Sequence, residues 1–353
     1  MQKIKVALLA GVFGWYKTFK AGGPAIYAWS LHKSLDSIGI ENKVFCETEG
    51  QYSFYLDENI SYCRLQVSDE IDVKENGFDI FHCLSSYNHI LLCNKVGIIP
   101  IAGSNIIPNS APEHALGYLN PSELKIRELA IESERKVIKH SKVSRWTSQS
   151  YFQMNEYKRL GMNGAEKVTR IIRNSLDLDG MFKEKSKYEN YITWTGKDSW
   201  TKLPQLFFRI VKMLPKEYFI ALSENFLNTC AKNIKVIVGT PHFEMSNRLN
   251  SKIHLNTSCT ENNCLGILEP MSKGIPVVVT NISGNPEIVE HGKTGFLYDR
   301  ENPKEAVEYI SLMSQDEQLR KQMGNNARKF IEKNYSFEAM GKSALKVYKE
   351  VLS

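Results

Sequence analysis

The first half of the sequence alternates short apolar runs, rich in β-branched residues, with longer stretches in which apolar residues recur at helical spacing. The runs predict strands and the longer stretches predict helices. The predicted strands cover residues 4–10, 44–47, 80–83, 98–102 and 143–147, and the predicted helices cover about 24–37, 87–95, 122–140 and 150–160. Alternation of this kind is typical of a parallel sheet wrapped by helices.

The second half repeats the pattern. Strands are predicted near 191–196, 217–222, 235–239, 253–256, 275–279 and 295–298, and helices near 203–214, 244–250, 264–273, 284–290, 303–314 and 317–333. The polar segment R-I-I-R-N-S-L-D-L-D leaves a strand near Asn174, where we place the boundary between two Rossmann-like α/β/α domains facing each other across a cleft. Ser336 then caps a separate amphipathic helix, in which Phe337, Met340, Ala344, Val347 and Val351 share one face.

Length and composition agree with a folded two-domain protein. The chain has 353 residues, which suits two domains of about 170 residues. Its hydrophobic content of 42% and charged content of 24% are those of a globular protein without low-complexity tracts. The seven cysteines are scattered without a C-x-x-C pair, which favours a reducing compartment and no metal site. Because the first predicted strand begins almost at once, we expect no signal peptide and a cytoplasmic protein.

The formal net charge is +6, and many basic residues fall between Lys125 and Arg159. Interleaved glutamates favour a solvated helix face, while a peripheral membrane contact or an anionic acceptor patch stays open. No aromatic-basic motif accompanies the charge, so we expect no nucleic-acid partner.

The most informative segment is E-N-N-C-L-G-I-L-E-P-M-S-K-G-I-P-V-V-V-T at 261–280, which sets Glu261 and Glu269 eight residues apart across a predicted loop-to-helix junction. In an α/β sheet such a junction lies at the carboxyl ends of strands, where helix starts favour phosphates. A carboxylate just inside the helix is placed to accept hydroxyl protons, as on a ribose. The alternative is that Glu269 is a solvated helix residue and Glu261 a cap.

Three weaker signals accompany this pair. Gly22 and Gly23 stand before the first helix, where glycine lets a phosphate approach the backbone. Lys197 and Lys202 lie five apart in T-G-K-D-S-W-T-K-L-P, with two surface lysines as the alternative. A D-x-D at Asp177 and Asp179 is a candidate for a divalent ion bound to a nucleotide sugar. His82 and His114 are candidate ligand contacts, and a buried, hydrogen-bonded histidine is an equal interpretation of His82.

Together with G-N-P-E-I-V-E-H-G-K-T-G-F-L at 284–297, segment 261–280 resembles the E-x7-E signature and the following G-G-x-P-E-x-V…G-x-T-G-F-L run of the retaining family 4 glycosyltransferases. The resemblance implies GT-B architecture, with an acceptor domain at 1–173, a nucleotide-sugar domain at 174–335 and a helix at 336–353 packing back on the first domain. It implies that no metal or other cofactor is needed, and that the N-S-L-D-L-D aspartates belong to a linker.

The resemblance also implies roles for individual residues. Lys197 and Lys202 would hold the donor diphosphate, Glu261 the hydroxyls of the donor sugar and Glu269 the nucleotide ribose. We count Glu261, Lys202 and Lys197 as catalytic. The predicted donor-binding residues are Glu269, Gly22, Gly23, Asn262, Asn263, Cys264, Leu265 and Asn105.

The sequence departs from the family pattern at several of these positions. Asn262, Asn263 and Cys264 replace the G-F-G that follows the first carboxylate, and Lys197 and Leu203 replace an Arg and a Gly. Where many members have a His in the first domain, Asn105 stands nearest. The G-G-x-P-E pattern lacks its first glycine but keeps Gly284, Pro286 and Glu287.

The function that the resemblance implies is retaining transfer of a hexosyl group from a UDP- or GDP-linked sugar to a hydroxyl of a glycan, a lipid-linked acceptor or a protein. Two alternatives stay open. The chain could be a catalytically silent GT-B protein that binds nucleotide or glycan as the partner of an active transferase. It could also be another GT-B enzyme, such as a sugar-nucleotide epimerase.

Overall fold

The computed structural model describes residues 4–11, 23–46, 60–61, 77–103, 105, 117, 119–179, 189–223, 227–229, 231–239 and 250–353. The chain divides into two compact units. The first comprises Met1–Ser110, Pro121–Ser175 and Ser336–Ser353, and the second comprises Ala111–Asn120 and Leu176–Tyr335. The predicted domain ranges 1–173, 174–335 and 336–353 stay a prediction.

The first unit is built on a parallel sheet. Within the described residues its strands are β1 (Lys5–Ala10), β2 (Glu41–Cys46), β3 (Ile60–Ser61), β4 (Ile80–Cys83), β5 (Ile101–Ala102), β6 (Arg145–Ser148) and β7 (Thr169–Ile171). They are arranged in the order β3-β2-β1-β4-β5-β6-β7, with every pairing parallel. Strand β1 is apolar without alternation because both faces of a parallel sheet are covered by helices.

The described helices of the first unit are α1 (Gly23–Ser37), α2 (Tyr87–Lys95), α3 (Pro121–His140), α4 (Tyr151–Arg159), α5 (Ala165–Val168) and the carboxyl-terminal α6 (Phe337–Leu352). Side chains from β1, β4, α2 and α3 meet in one apolar core on one face of the sheet. Ser150 accepts a hydrogen bond from the backbone N–H of Gln153 at 3.1 Å and so fixes the start of α4.

The carboxyl-terminal helix α6 belongs to the first unit, where it packs on α1. Ser336 accepts a hydrogen bond from the N–H of Ala339 and fixes the helix start. The ring of Phe337 contacts Trp29 of α1 edge to face, with centroids 5.6 Å apart. At the other end of the helix, Arg170 Nε donates to Glu350 Oε2 at 2.6 Å. Distant parts of the chain thus hold this helix at both ends.

The second unit is a second parallel sheet. Its strands in the described residues are β8 (Ile192–Gly196), β9 (Phe219–Ser223), β10 (Ile234–Val238), β11 (Ile253–Asn256), β12 (Val277–Thr280) and β13 (Gly295–Tyr298), in the order β10-β9-β8-β11-β12-β13. Its helices are α7 (Pro204–Met213), α8 (Leu265–Ser272), α9 (Pro303–Gln315) and α10 (Glu317–Asn334). The stacked rings of Trp194 and Phe207 lie at the centre of its main apolar core, with centroids 5.1 Å apart.

Most predicted elements are confirmed to within a few residues, and two differ clearly. The helix predicted over 284–290 is only a 3₁₀ turn at Asn285–Glu287, because Gly284 is pressed against another loop before the turn begins. The strand predicted over 98–102 pairs only at Ile101–Ala102. The helix predicted near 244–250 lies outside the described residues, except for its last position. None of the described helices has both the length and the apolar character needed to span a membrane.

Candidate functional site

The order of the strands locates a candidate site in each sheet. In the second sheet β8 is followed by β9 on one side, whereas its other neighbour β11 is followed by β12 in the opposite direction. The chain therefore changes direction between β8 and β11, and ligands of open α/β sheets bind beyond the carboxyl ends of the strands at such a point. The loop after β8 carries Lys197 and Lys202, and the loop after β11 carries Glu261.

The backbone of the loop after β8 is fixed by hydrogen bonds to the loop after β11. The Thr257 hydroxyl donates to the carbonyl oxygen of Lys202 at 2.8 Å and itself accepts from Trp194 Nε1 at 2.9 Å. The N–H of Cys259 donates to the carbonyl of Thr201 at 2.8 Å. Lys197, the first residue of this loop, is exposed. The two predicted cations therefore share a loop but differ in environment.

Lys202 and Glu261 meet directly. The Lys202 ammonium contacts Glu261 Oε1, and the hydroxyl of Ser258 donates to the same oxygen at 2.7 Å. Both charged side chains are largely buried, at 24% and 14% exposure. The alternative that Glu261 is a helix cap is wrong, because the residue that precedes α8 as its N-cap is Cys264. The alternative of two surface lysines is also wrong for Lys202, although it describes Lys197.

The loop that follows β12 contacts the backbone of Glu261 and Asn262. The N–H of Gly284 donates to the carbonyl oxygen of Glu261 at 2.9 Å, and a Cβ at Gly284 would lie 1.7 Å from the carbonyl oxygen of Asn262. Only glycine fits such a close approach of two backbones. The residue before it, Ser283, has φ of 50° and stands where the family pattern has its first glycine. The left-handed backbone is thus kept although the glycine is not.

The loop after β8 also has a left-handed residue at the position of a family glycine. Leu203, at the position of another family glycine, has φ of 45° and is buried at 6% exposure against Cys259 and Trp200. A left-handed conformation costs a non-glycine residue about 1–2 kcal/mol. Burial of the leucine side chain offsets this cost, so the departure from the pattern keeps the loop geometry.

The three residues that replace G-F-G lie between the two carboxylates. Asn262 is half-buried, while Asn263 is buried and donates to the hydroxyl of Tyr335 at 3.3 Å. Cys264 is buried, and burial followed by the negative charge of Glu261 raises the pKa of its thiol to about 12. Leu265 is half-buried at the first position of α8. The replacements therefore add a buried amide and a neutral thiol beside Glu261.

Glu269 lies in the second turn of α8 and is 3% exposed. The alternative of a solvated helix residue is therefore wrong. Helix α8 is apolar around it, with Ile267, Leu268 and Met271 fully buried. Burying a carboxylate is costly unless a partner stabilises it, so Glu269 is an unusual residue at this depth of an apolar helix.

The charges of Lys202 and Glu261 also act on buried neighbours. Burial, assisted by the positive charge of Lys202, lowers the pKa of His254 on β11 to about 3. Burial raises the pKa of Cys259 to about 12, and the Glu261 carboxylate contributes in the same direction. Because the side chains of Lys202 and Glu261 are themselves largely buried, water screens this ion pair weakly.

The first sheet reverses direction between β1 and β4. There the N–H of Gly11 donates to the hydroxyl of Ser85 at 2.8 Å, which joins the loops that follow the two strands. Gly23 begins α1 with no heavy atom within 4 Å of the place that a Cβ would occupy. Gly22 and His114 lie outside the described residues.

Two further candidates of the first unit are described. Asn105 follows β5 at the same edge of the sheet, and its buried amide nitrogen has no hydrogen-bond acceptor among the residues that the structure describes. His82 is fully buried on β4 with its Nδ1 3.0 Å from the hydroxyl of Tyr348, and burial lowers its pKa to about 3. His82 is therefore buried and hydrogen-bonded, as one of its two interpretations has it, and its role as a ligand contact stays a prediction.

Sequence patterns missed four residues that shape these sites. Ser258 and Gly284 position Glu261, Tyr335 contacts Asn263, and Ser85 joins two loops of the first unit. Gly284 could have been found from its place in the family motif, whereas the others carry no local signal. Among the described residues no three His, Cys, Asp or Glu side chains group as a metal site would require, and the predicted independence of metal stays a prediction.

Comparison of sequences places part of the chain in a known family. Residues 216–330 match the family described as Glycosyl transferases group 1. The chain is 34% identical over 83 residues to spore coat protein SA of Bacillus subtilis, which covers 23% of this chain and 22% of that protein. It is 30% identical over 88 residues to N-acetyl-alpha-D-glucosaminyl L-malate synthase of Bacillus anthracis, covering 25% and 23%. The matches thus span less than a quarter of these relatives.

Comparison of structures covers nearly the whole chain. The structure is similar to the crystal structure of Anabaena HepE in complex with UDP-glucose, with a TM-score of 0.74 and 13% sequence identity over 98% of this chain and 100% of that chain. The predicted fold class, α/β with GT-B architecture, is confirmed. The predicted resemblance to group 1 glycosyltransferases is confirmed as well.

Proposed function

We propose that this protein is a retaining glycosyltransferase that moves a hexosyl group from a nucleotide diphosphate sugar to a hydroxyl acceptor. The observation that carries the proposal is the meeting of Lys202 and Glu261 at the point where the second sheet reverses direction, one loop away from the buried Glu269. A cation, a carboxylate for sugar hydroxyls and a carboxylate for a ribose are the groups that such a donor requires. The family match over 216–330 and the HepE complex with UDP-glucose support the same class of ligand.

Each side chain then has a part in the reaction. The bond between the anomeric carbon and the β-phosphate oxygen breaks, and negative charge develops on the leaving diphosphate. Lys202, together with Lys197 directly after β8, stabilises the developing negative charge in a weakly screened site. The acceptor hydroxyl forms the new bond to the anomeric carbon on the same face, and its proton passes to the leaving phosphate oxygen. This route retains configuration without a protein base.

The substitutions in the 262–264 segment bear on the choice of donor sugar. The amide of Asn262 lies in the loop next to Glu261, where the family pattern has a glycine without a side chain. An amide donates and accepts hydrogen bonds, so it can select among sugar hydroxyls that glycine would not distinguish. We propose that the identity of the hexose is decided here and not by Lys202 or Glu269.

The proposal is tested first by ligand binding and then by transfer. UDP- and GDP-linked hexoses are screened for thermal stabilisation, because a ligand that binds only the native state raises its apparent stability. The donor that binds is then incubated with panels of glycan, lipid-linked and peptide acceptors, with and without EDTA. We expect one donor to stabilise the protein and to be consumed in the presence of an acceptor, with unchanged turnover in EDTA.

Variants then assign the chemistry to this site. Lys202→Met should lower turnover by about 10²-fold, the loss typical when one stabilising donor is removed from a leaving group. Glu269→Gln should weaken donor binding through the ribose. Lys212→Met is the matched control, since Lys212 is an exposed lysine of the same unit in the last turn of α7. Equal turnover of Lys202→Met and the control would contradict the proposed site, and donor binding without any transfer or hydrolysis would favour the catalytically silent alternative.

We also propose a peripheral contact of the first unit with anionic membranes. Helix α3 exposes Ile126 and Leu129 at 66% and 64%, one turn apart on one face. The segment 135–145 that completes this helix and leads to β6 contains five Lys or Arg and no Asp or Glu. Exposed aliphatic residues beside a basic segment match an anionic lipid surface, where each cation contributes about 1 kcal/mol.

Vesicle sedimentation tests this contact. The protein should bind vesicles that contain phosphatidylserine or phosphatidylglycerol, bind phosphatidylcholine vesicles weakly, and dissociate from anionic vesicles in high salt. Replacing Ile126 and Leu129 together by Ser should reduce binding. Leu312→Ser removes an exposed leucine from α9 of the second unit and should leave vesicle binding unchanged. Equal binding of both variants would show that α3 is not the contact.

A further inference from the structure

Two groups that the proposed donor needs are already bound to each other. Lys202 holds Glu261 through an ion pair, although one would serve the donor diphosphate and the other the donor sugar. Ser258 donates to the same carboxylate oxygen that Lys202 contacts. In this arrangement the charge that should attract phosphate is compensated by a carboxylate of the protein itself.

The surrounding backbone favours movement of the side chains over movement of the loops. The carbonyl of Lys202 accepts a hydrogen bond from Thr257, and the carbonyl of Glu261 accepts one from Gly284. Gly284 also lies so close to Asn262 that the two loops cannot approach each other further. A ligand anion can therefore reach the Lys202 ammonium by replacing the Glu261 carboxylate, while both backbones keep their places.

We infer that Glu261 competes with the donor diphosphate for Lys202, and that donor binding exchanges one ion pair for the other. This inference rests on the proposed function. In the exchange the diphosphate takes the ammonium, and the displaced Glu261 carboxylate accepts hydrogen bonds from hydroxyls of the donor sugar. A nucleoside diphosphate without a sugar also displaces Glu261 but gives it no new hydroxyl partners.

The exchange therefore makes the site discriminate between donor and product. The intact donor satisfies both Lys202 and Glu261, whereas the product nucleotide satisfies only Lys202. The carboxylate that has lost its ammonium keeps only neutral described donors, the Ser258 hydroxyl and the Cys264 thiol, and a largely buried charge without a cation is unfavourable. Glu261 thus promotes release of the spent nucleotide in addition to contacting the sugar.

A second ion pair of the same unit shows what a purely structural contact would look like. Lys252 contacts Glu217 with both side chains 18% exposed, a burial similar to that of Lys202 and Glu261. Lys252 precedes β11 and Glu217 precedes β9, so this pair lies at the amino edge of the sheet, away from the predicted ligand residues. It provides a matched control for the removal of one buried carboxylate charge.

The test is calorimetric titration of UDP and of GDP into the wild-type protein, Glu261→Gln and Glu217→Gln. Glutamine keeps the size of the side chain but no longer competes as an anion. For the nucleotide that the wild-type protein binds, Glu261→Gln should bind at least about fivefold more tightly, the lower end of typical couplings between two ligands of one site. Glu217→Gln should bind as the wild type does, and turnover of the intact donor should fall only in Glu261→Gln.

A double-mutant cycle shows whether the effect passes through Lys202. In a Lys202→Met background, Glu261→Gln should no longer tighten binding of the nucleotide. Melting temperatures confirm that each variant is folded, and Glu261→Ala repeats the measurement if glutamine does not permit folding. The gain in Glu261→Gln together with its loss in the double variant is the expected result.

The outcomes separate this inference from the function on which it rests. If the wild type binds UDP or GDP and Glu261→Gln binds it equally or more weakly, the exchange is wrong and the proposed transferase is unaffected. If Glu217→Gln tightens binding as much, the effect is one of net charge, and the exchange is again wrong. If no nucleotide or nucleotide sugar binds and nothing is transferred, the proposed function fails, and the exchange fails with it.

Discussion

Gly284 provides the sharpest test of how this site is built. An alanine at this position would place its Cβ 1.7 Å from the carbonyl oxygen of Asn262 and 2.8 Å from its carbonyl carbon. Contacts below 3.0 Å essentially do not occur, so one of the two loops has to move by the difference of about 1.3 Å. Such a movement also breaks the hydrogen bond from the Gly284 N–H to the Glu261 carbonyl.

The structure gives a magnitude for both stability and activity. Steric overpacking costs about 1–3 kcal/mol and the lost hydrogen bond about 1 kcal/mol, so Gly284→Ala should lose about 2–4 kcal/mol. For a unit of this size that corresponds to a fall in melting temperature of about 5–15 °C. Because a misplacement of about 1 Å costs about 10²-fold in rate, turnover of the donor should fall by that order even where the variant is folded.

The matched control is Gly341→Ala in α6, where a Cβ would lie 2.3 Å from the carbonyl oxygen of Ser34 in the first unit. Thermal unfolding and donor turnover are measured for both variants well below their melting temperatures. Both should be less stable than the wild type, but only Gly284→Ala should lose donor affinity and turnover out of proportion to its unfolded fraction. A Gly284→Ala protein with unchanged turnover would refute the claim that this contact positions Glu261.

Three further predictions follow from individual residues. Because Leu203 has a left-handed backbone, Leu203→Gly should be more stable than Leu203→Ala by about 0.5–1 kcal/mol in thermal unfolding. At Leu206 in the adjoining helix, Leu206→Gly should instead be less stable than Leu206→Ala. A glycine variant that is the more stable at both positions, or at neither, would contradict the backbone strain at Leu203. Burial lowers the pKa of His82 and His254 to about 3, so the unfolded chain binds more protons than the native chain between pH 6.5 and 3, and stability should fall as the pH falls through that window. Replacing either histidine by Gln should remove about 1.4 kcal/mol per pH unit from that slope in urea unfolding, and an unchanged slope would mean that the histidine is charged in the native state. The Cys264 thiol, with its pKa raised to about 12, should resist iodoacetamide at pH 8 in the native protein and react on unfolding, and rapid native alkylation would contradict its burial.

The period of the apolar pattern predicted most of the elements because burial is imposed on each strand and helix separately. A strand covered on both faces, such as β1, must be apolar throughout, and a helix such as α6 must present one apolar face. Residues that act through contacts with distant parts of the chain left no such pattern. Ser258, Tyr335 and Ser85 are ordinary polar residues until folding brings partners to them.

Leu203, one of the positions that lack a family glycine, shows where local rules were insufficient. Leucine disfavours the left-handed conformation that glycine adopts readily. The structure keeps that conformation because the leucine side chain is buried against Cys259 and Trp200, and this packing offsets the strain. This packing stabilises the loop at a position where the family pattern has a glycine.

The sequence by itself determined two α/β halves and the loop-to-helix junction that carries Glu261 and Glu269, and it predicted a class of ligand for those groups. These features are local, since they depend on periodicity and on residues close together in the chain. Only the tertiary structure decided that Lys202 lies on Glu261, that Glu269 and His82 are buried and that Gly284 supports the loop of Glu261. Such contacts join residues far apart in sequence, and parallel strand pairing, which brings the carboxyl ends of strands to one edge, is the physical cause of their meeting.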